Sequence, residues 1–405
     1  MKCGLLGEKL GHSYSPQIHR LLGSYDYQLF EKQPDQLKDF LKNGDFHGLN
    51  VTIPYKKAVI PFLSSLSPVA EKLGAVNTVV RREDGSLIGH NTDYFGFRTM
   101  VEASGLQLAG KKALILGSGG ASNTAVAVMK ELGCEVVVIS RSGENNYSNL
   151  DRHSDAAIVV NCTPVGMYPN VDASPISLAH FPVLEGVLDL IFNPARTRLL
   201  QEAEDRGIVA MNGLLMLVAQ AKESAEWFTG NLIPSDLIGN IHQKLQKQME
   251  NIIFIGMPGS GKSQIAAVLS QRTGRKVFDS DAEIVAAAGK SIPQIFQQDG
   301  EEAFRTLETQ ALAQLGKQSG IIIATGGGCI TRQENYPLLH QNGRILWLKR
   351  EIGLLPTQGR PISQTRDLNE LYQARRPLYE AFADEIIDNT GTVAEAAEKI
   401  LERLL

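Results

Sequence analysis

Four cysteines in 405 residues, Cys3, Cys134, Cys162 and Cys329, stand far apart and in no Cys-x-x-Cys spacing. Neither a disulfide framework nor a zinc site is expected of them. There is no surplus of basic charge: 40 Lys and Arg face 44 Asp and Glu, a net charge of −4. That leaves no electrostatic footprint for nucleic acid. No apolar run approaches the roughly 20 residues that cross a bilayer. In Met-Lys-Cys-Gly-Leu-Leu-Gly-Glu a charge follows the first apolar residues too soon for a signal peptide. Internal repeats and low-complexity segments are lacking as well. The expectation is a cytoplasmic protein that acts on small molecules, with no nucleic-acid or membrane partner and with homo-oligomerisation left open. At 43% apolar and 21% charged residues the chain has the composition of a folded protein. Its length fits two or three domains at about 150 residues each.

Short apolar runs alternate with helical patterns, which points to α/β architecture with mostly parallel sheets. Lys112–Leu116, Glu135–Ile139 and Asn251–Ile255 read as buried strands. The first and third of these run into glycine-rich turns about 140 residues apart, so two nucleotide-binding folds are expected. A polar, glutamine-rich stretch from Ile238 to Glu250, with apolar residues at helical spacing, marks the seam between them. A further division is expected near Gly110, where a new strand begins.

The turn Gly117-Ser-Gly119-Gly120-Ala-Ser122 follows a strand and opens a helix, the context of a dinucleotide fingerprint. Gly117 allows the tight turn, and Gly119 with Gly120 lets a pyrophosphate approach the backbone at the helix start. A plain βα turn would share these glycines. The next strand ends in Ser140-Arg141-Ser142 where an NAD fold carries an acidic residue. A guanidinium flanked by hydroxyls suits a 2′-phosphate, so NADP is favoured.

Several polar segments precede and follow this turn: Ser13-Tyr-Ser15-Pro, Asn50-Val-Thr52-Ile-Pro-Tyr-Lys56, Gly74-Ala-Val-Asn77-Thr, Asn91-Thr-Asp93, Asn161-Cys-Thr163-Pro, Asp189-Leu-Ile-Phe192-Asn-Pro and Gly213-Leu-Leu-Met216-Leu-Val-Ala-Gln220. In order and spacing they resemble shikimate dehydrogenase over residues 1 to about 245. The resemblance implies reduction of the ketone of 3-dehydroshikimate with NADPH. It assigns Ser13 and Ser15 to the substrate carboxylate, and Thr52, Asn77 and Gln220 to ring hydroxyls. Lys56 and Asp93 match the catalytic dyad, which protonates the developing alkoxide. Met216, one turn before Gln220, is placed against the nicotinamide. Phe192 departs from the tyrosine of many relatives and removes one hydroxyl near the carboxylate.

Gly256-Met-Pro-Gly259-Ser-Gly261-Lys262-Ser263 is a complete phosphate-binding loop directly after a strand. Its amides would cradle nucleotide phosphates, with Lys262 adding charge and Ser263 holding magnesium. Asp279-Ser-Asp281, Arg305-Thr-Leu-Glu308, Gly326-Gly327-Gly328, Gly359-Arg360-Pro and Arg375-Arg-Pro-Leu-Tyr379 follow. Together they resemble shikimate kinase over residues 251–405. The resemblance implies ATP and Mg²⁺ as cofactors, Asp279 as support for the metal and Asp281 as the group that orients the acceptor hydroxyl. It places Arg305 and Arg375 on the acceptor carboxylate, Gly327 against the ring and Arg360 on the transferring phosphoryl group. Arg375 and Arg376 also fit a solvated helix face. Only eleven residues separate Leu348 from Arg360, a shorter lid than the family implies.

The expected organisation is therefore an α/β substrate domain at 1–109, closed by helices at 213–245, a Rossmann-like NADP domain at 110–245, and a P-loop kinase domain with a parallel sheet at 251–405. The expected function is bifunctional: 3-dehydroshikimate is reduced to shikimate, which is then phosphorylated. A dehydrogenase carrying an inactive kinase domain and a quinate-directed oxidoreductase are the alternatives.

Overall fold

The computed structural model describes residues 1–11, 13–355 and 368–404. The expected strands at Lys112–Leu116, Glu135–Ile139 and Asn251–Ile255 are present with those bounds. They belong to two of three sheets. The first sheet comprises β1 (Lys2–Gly7), β2 (Asp26–Glu31), β3 (Gly48–Val51), β4 (Ser65–Leu66), β5 (Thr78–Arg81) and β6 (Leu87–His90), in the order β2-β1-β3-β5-β6-β4. Strand β5 runs antiparallel to both of its neighbours.

The second sheet is wholly parallel: β7 (Lys112–Leu116), β8 (Glu135–Ile139), β9 (Ile158–Asn161), β10 (Gly186–Asp189) and β11 (Val209–Met211), in the order β11-β10-β9-β7-β8. The third, also parallel, has β12 (Asn251–Ile255), β13 (Val277–Asp279), β14 (Ile322–Ala324), β15 (Gly343–Lys349) and β16 (Glu385–Asp388), in the order β13-β14-β12-β15-β16.

The period of two along each central strand explains why these runs are apolar without interruption. In β7, Ala113 and Ile115 join one buried cluster while Leu114 and Leu116 join another on the opposite face. In β12, Ile253 and Ile255 face one cluster and Ile252 and Phe254 the other. Helices cover both faces, so neither face tolerates a charge.

By its contacts the chain divides into two units: Met1–Gly166, Ala173–Phe192 and Leu199–Lys244, and then Met167–Asp172, Asn193–Arg198 and Leu245–Leu405. The division falls inside the helix Asp236–Met249, within the seam expected from the sequence. In the second unit the two short early segments are held by hydrogen bonds: Lys317 Nζ donates to Asp172 Oδ2 at 3.2 Å, Ala195 N to Asn342 Oδ1 at 2.8 Å and an Arg196 guanidinium nitrogen to His340 O at 3.0 Å. That participation was not legible in the sequence.

Candidate active sites

In the first unit, Lys56 lies on the short helix Tyr55–Ala58 and Asp93 opens the helix Asp93–Ala103. Lys56 Nζ donates to Asp93 Oδ2 at 2.6 Å, with side chains 25% and 12% exposed. The pair is shielded enough to hold its geometry and open enough for water to renew a proton. Asp93 is held by its predecessor: Thr92 N donates to Asn77 Oδ1 at 2.7 Å, and Asn77 Nδ2 donates to Thr92 Oγ1 at 3.0 Å and to Gln220 Oε1 at 3.5 Å. Three residues far apart in sequence thus meet beside the dyad.

They connect to the serine pair through uncharged groups. Ser15 N donates to Ser13 Oγ at 3.2 Å. Ser15 also hydrogen-bonds Tyr27, whose phenol burial holds in its neutral form. Tyr27 Oη donates to Asn50 Oδ1 at 2.8 Å, and Asn50 Nδ2 donates to Ser224 Oγ at 2.7 Å. The Ser224, Thr78 and Thr92 hydroxyls lie 2.8–3.2 Å apart. Asn50, Asn77, Thr78, Thr92 and Ser224 are buried, so each must be paired, and the pairing fixes the helix Leu214–Thr229 that carries half-buried Gln220. Thr52 follows β3 directly, its Cγ2 2.9 Å from where a Cβ on Gly7 would stand and its N donating to Leu6 O. Phe192 packs its ring edge-on to Tyr14 beside the serine pair, with centroids 5.9 Å apart.

The order of the second sheet reverses between β7 and β9, and ligands of doubly wound sheets bind beyond the carboxyl ends at such a point. There Gly117 has φ +104°, and a Cβ on it would lie 3.2 Å from Thr163 Cγ2. A Cβ on Gly119 or Gly120 would meet nothing within 4 Å, and the helix Gly120–Glu131 opens without a side-chain cap. This is a backbone cradle that suits a pyrophosphate. Arg141 is exposed on the turn after β8, next to half-buried Ser140. Met216 is buried against Phe97, Ala125 and Leu188.

The second unit holds a cavity of about 860 Å³ lined by the phosphate loop, Asp279, Asp281, Arg305, Gly326–Gly328 and Arg375, among others. Gly256, Gly259 and Gly261 have φ of +144°, +89° and +91°, which turns successive amides inward. Lys262 Nζ donates to the carbonyls of Gly256 and Met257 at 2.9 and 3.1 Å. Ser263 Oγ donates to Asp279 Oδ2 at 2.9 Å, while Asp279 Oδ1 caps the helix Ser280–Ala288. Two hard oxygens at the mouth of the loop suit a magnesium ion.

On the acceptor side, an Arg305 guanidinium nitrogen donates to Glu308 Oε2 at 2.8 Å and another reaches Glu301 at 3.2 Å. Arg375 is buried and donates to Gly327 O at 3.1 Å, as does Tyr379 Oη, so it is no solvated helix face; its neighbour Arg376 is the exposed one. A Cβ on Gly326 would stand 2.7 Å from Asp281 Oδ1 and 2.8 Å from Glu308 Oε1. Neither of those oxygens has a partner among the described residues. Arg360 lies outside the described residues.

Burial, reinforced by Asp279, raises the Asp281 carboxyl above its ordinary range, and burial does the same for Glu308. A carboxyl whose folded pKa is raised keeps its proton longer in the fold than in the unfolded chain, which titrates near about 3.9. Its cost is absent below that value and fully present once pH exceeds the folded pKa. Asp281→Asn is therefore expected to raise the unfolding midpoint at pH 7, with the gain shrinking to nothing toward pH 3.5. Thermal unfolding at the two pH values checks it, and an equal effect at both contradicts it.

Comparison with known proteins bears on both units. Residues 5–79 match the shikimate dehydrogenase substrate binding domain and residues 258–405 match shikimate kinase. A shikimate dehydrogenase (NADP(+)) of Clostridium perfringens is 34% identical over 265 residues, 60% of this chain and 97% of the relative. The chain belongs to the shikimate dehydrogenase family. It carries a shikimate kinase domain in addition. Among solved structures, shikimate dehydrogenase 1 of Peptoclostridium difficile superposes with a TM-score of 0.56 at 37% identity, covering 60% of this chain and 97% of that one. A chorismate mutase/shikimate 5-dehydrogenase fusion protein from Clostridium acetobutylicum gives 0.57 at 36% identity, covering 61% and 97%.

Three residues at these sites were not singled out by reading the sequence. In the shikimate dehydrogenase part, Ser224 lies four residues after Gln220, a spacing that puts both on one helix face. In the shikimate kinase domain, Glu308 lies three residues after Arg305 and pairs with it for the same reason. Arg350 lines the kinase cavity directly after β15. Its only signal in the sequence is its position at the end of a buried strand.

Proposed function

We propose that the chain catalyses two consecutive reactions, reduction of 3-dehydroshikimate to shikimate with NADPH and phosphorylation of the shikimate 3-hydroxyl with ATP. The substrate domain would be residues 1–109 with the helices at 213–245, the NADP domain 110–245 and the kinase domain 251–405. The observation that carries the reading is the cavity of the second unit, which a complete phosphate loop lines together with Asp281, Arg305 and Arg375. That arrangement suits an acid bearing hydroxyls, the same molecule that the first unit's family produces or consumes.

In the first unit, Ser13 and Ser15 hold the substrate carboxylate, and Thr52, Asn77 and Gln220 hold ring hydroxyls. Gly117, Gly119 and Gly120 would cradle NADPH, with Met216 on the side of its nicotinamide, and the chemistry it would supply is hydride donation. Lys56 gives its proton to the carbonyl oxygen as that oxygen becomes a hydroxyl, and Asp93 keeps the ammonium in place. In the second unit, Arg305 and Arg375 hold the carboxylate, and the Gly327 amide closes on the ring. Asp281 orients the hydroxyl and accepts its proton, while Lys262 takes charge on the transferring group. Ser263 and Asp279 would hold Mg²⁺, whose chemistry is neutralisation of phosphate charge.

The test is incubation with 3-dehydroshikimate, NADPH and ATP-magnesium. Shikimate 3-phosphate is the expected product; accumulation of shikimate alone favours a dehydrogenase with an inactive kinase domain. Cofactor choice rests on Arg141, an exposed guanidinium between Ser140 and Ser142. Arg141→Ala is expected to raise the Michaelis constant for NADPH ten- to hundredfold, the value of a charge-assisted contact of about 1.5–3 kcal/mol, and to leave NADH use nearly unchanged. Initial-rate kinetics with both cofactors decide this.

A further inference from the structure

Among the described residues three arginines line the kinase cavity, Arg305, Arg375 and Arg350, and the third stands apart from the acceptor's carboxylate. It is the first residue after β15, at the carboxyl edge of the sheet, where the strand order reverses around β12. It lines the cavity beside Gly259, Gly261, Lys262 and Gln264. One of its guanidinium nitrogens lies 3.8 Å from where a Cβ on Gly261 would be, against the shoulder of the phosphate loop.

Its partners are what set it apart. Arg305 is neutralised by Glu301 and Glu308, and Arg375 donates to Gly327 O. Arg350 has a buried Nε with no partner, and none of the described carboxylates pairs with it. A guanidinium cannot shed its charge, and leaving one half-buried and uncompensated costs stability. The cost makes sense when an anion arrives.

The backbone beneath this arginine is fixed to the loop it faces. Asn389 N donates to Lys349 O at 2.8 Å, while Asn389 Nδ2 donates to Ser260 O within the loop. On the other side, a Cβ on Gly256 would lie 2.7 Å from Leu348 O, so strand and loop are in close contact. The arginine is therefore presented by the sheet at a set distance from the loop amides.

We propose that Arg350 is a ligand for the nucleotide polyphosphate, a cation delivered by the rigid end of β15. The proposal rests on the kinase reading above. Phosphate is the anion that the neighbouring loop is shaped for, and a guanidinium matches its oxygens in pairs. The acceptor's carboxylate already has Arg305 and Arg375.

The experiment uses the full chain and calorimetric titration with ADP and, separately, shikimate. Arg350→Gln is expected to weaken ADP binding ten- to hundredfold. Arg350→Lys should recover part of that loss, because a point charge replaces a fork. Neither variant should lower the unfolding midpoint, since no internal partner is lost. Unchanged ADP affinity in Arg350→Gln overturns the proposal, as does a loss confined to shikimate. Wild-type protein that binds no ADP overturns the kinase reading itself, a distinct result.

Discussion

Lys56→Ala is expected to lower the turnover of NADPH-dependent 3-dehydroshikimate reduction by about 10²-fold or more, and Asp93→Asn to do nearly the same. Hydride arrival on a ketone leaves an alkoxide, and a positioned acid contributes about 10²–10⁴ to such a step. The acid is placed by one contact, Lys56 Nζ to Asp93 Oδ2 at 2.6 Å. Asp93 is in turn fixed through Thr92 and Asn77. Removing either end of the pair leaves the other without its orienting partner, so the two losses overlap and the double variant should be little worse than either single one. Asp93 is buried, so Lys56→Ala also leaves its carboxylate without a counter-ion and lowers stability, whereas Asp93→Asn keeps a neutral partner in place; turnover is therefore compared on folded protein. Steady-state rates with unchanged Michaelis constants are the signature. Near-normal turnover in both variants removes the pair from the mechanism.

Lys262→Ala is expected to reduce shikimate phosphorylation by about 10²–10³-fold, the usual loss when one preorganised charge donor is removed from a developing anion. The ammonium is buried and folded onto the Gly256 and Met257 carbonyls, so it is already desolvated and close to where phosphates would lie. Little reorganisation is needed for it to turn toward the transferring group. The same variant should keep its NADPH oxidation, whose residues belong to other elements of the chain. A coupled assay that follows the two products separately distinguishes this from general misfolding. Phosphorylation at the wild-type rate would mean that the loop serves only to bind.

How much of this was legible in the residues depended on whether the signal was local. The strands β7 and β12 stood out because both of their faces are buried, which leaves almost no polar residue to interrupt them; β8, a half-buried edge strand, stood out by its run of valines. Gly117 and the loop at Gly256–Ser263 stood out because phosphate cradles need positive φ at fixed offsets. The pairing of Lys56 with Asp93, by contrast, joins residues 37 apart and came from resemblance alone. Ser224, Thr78 and Asn50 were invisible as a network, since each is an ordinary small polar residue until the fold removes water from around it. Arg375 was assigned to the acceptor carboxylate by resemblance, with a solvated helix face as the alternative, and the burial of one side of the helix Leu368–Phe382 separates it from exposed Arg376. The two short segments at 167–172 and 193–198 joined the second unit through contacts to residues about 145 positions away, which no local pattern encodes.

The two pockets are built from opposite materials. Around Asn77 the groups that surround the dyad are amides and hydroxyls, neutral at every ordinary pH. Around Gly327 they are guanidiniums and carboxylates. A medicinal chemist would read these as two different filters for one small acid. An analogue whose carboxylate is replaced by an uncharged isostere of the same shape keeps most of what hydroxyl donors offer, but it leaves a buried arginine facing a group that cannot answer its charge. If the two proposed reactions share shikimate, such a compound would discriminate between the two sites and would silence one reaction while the other runs.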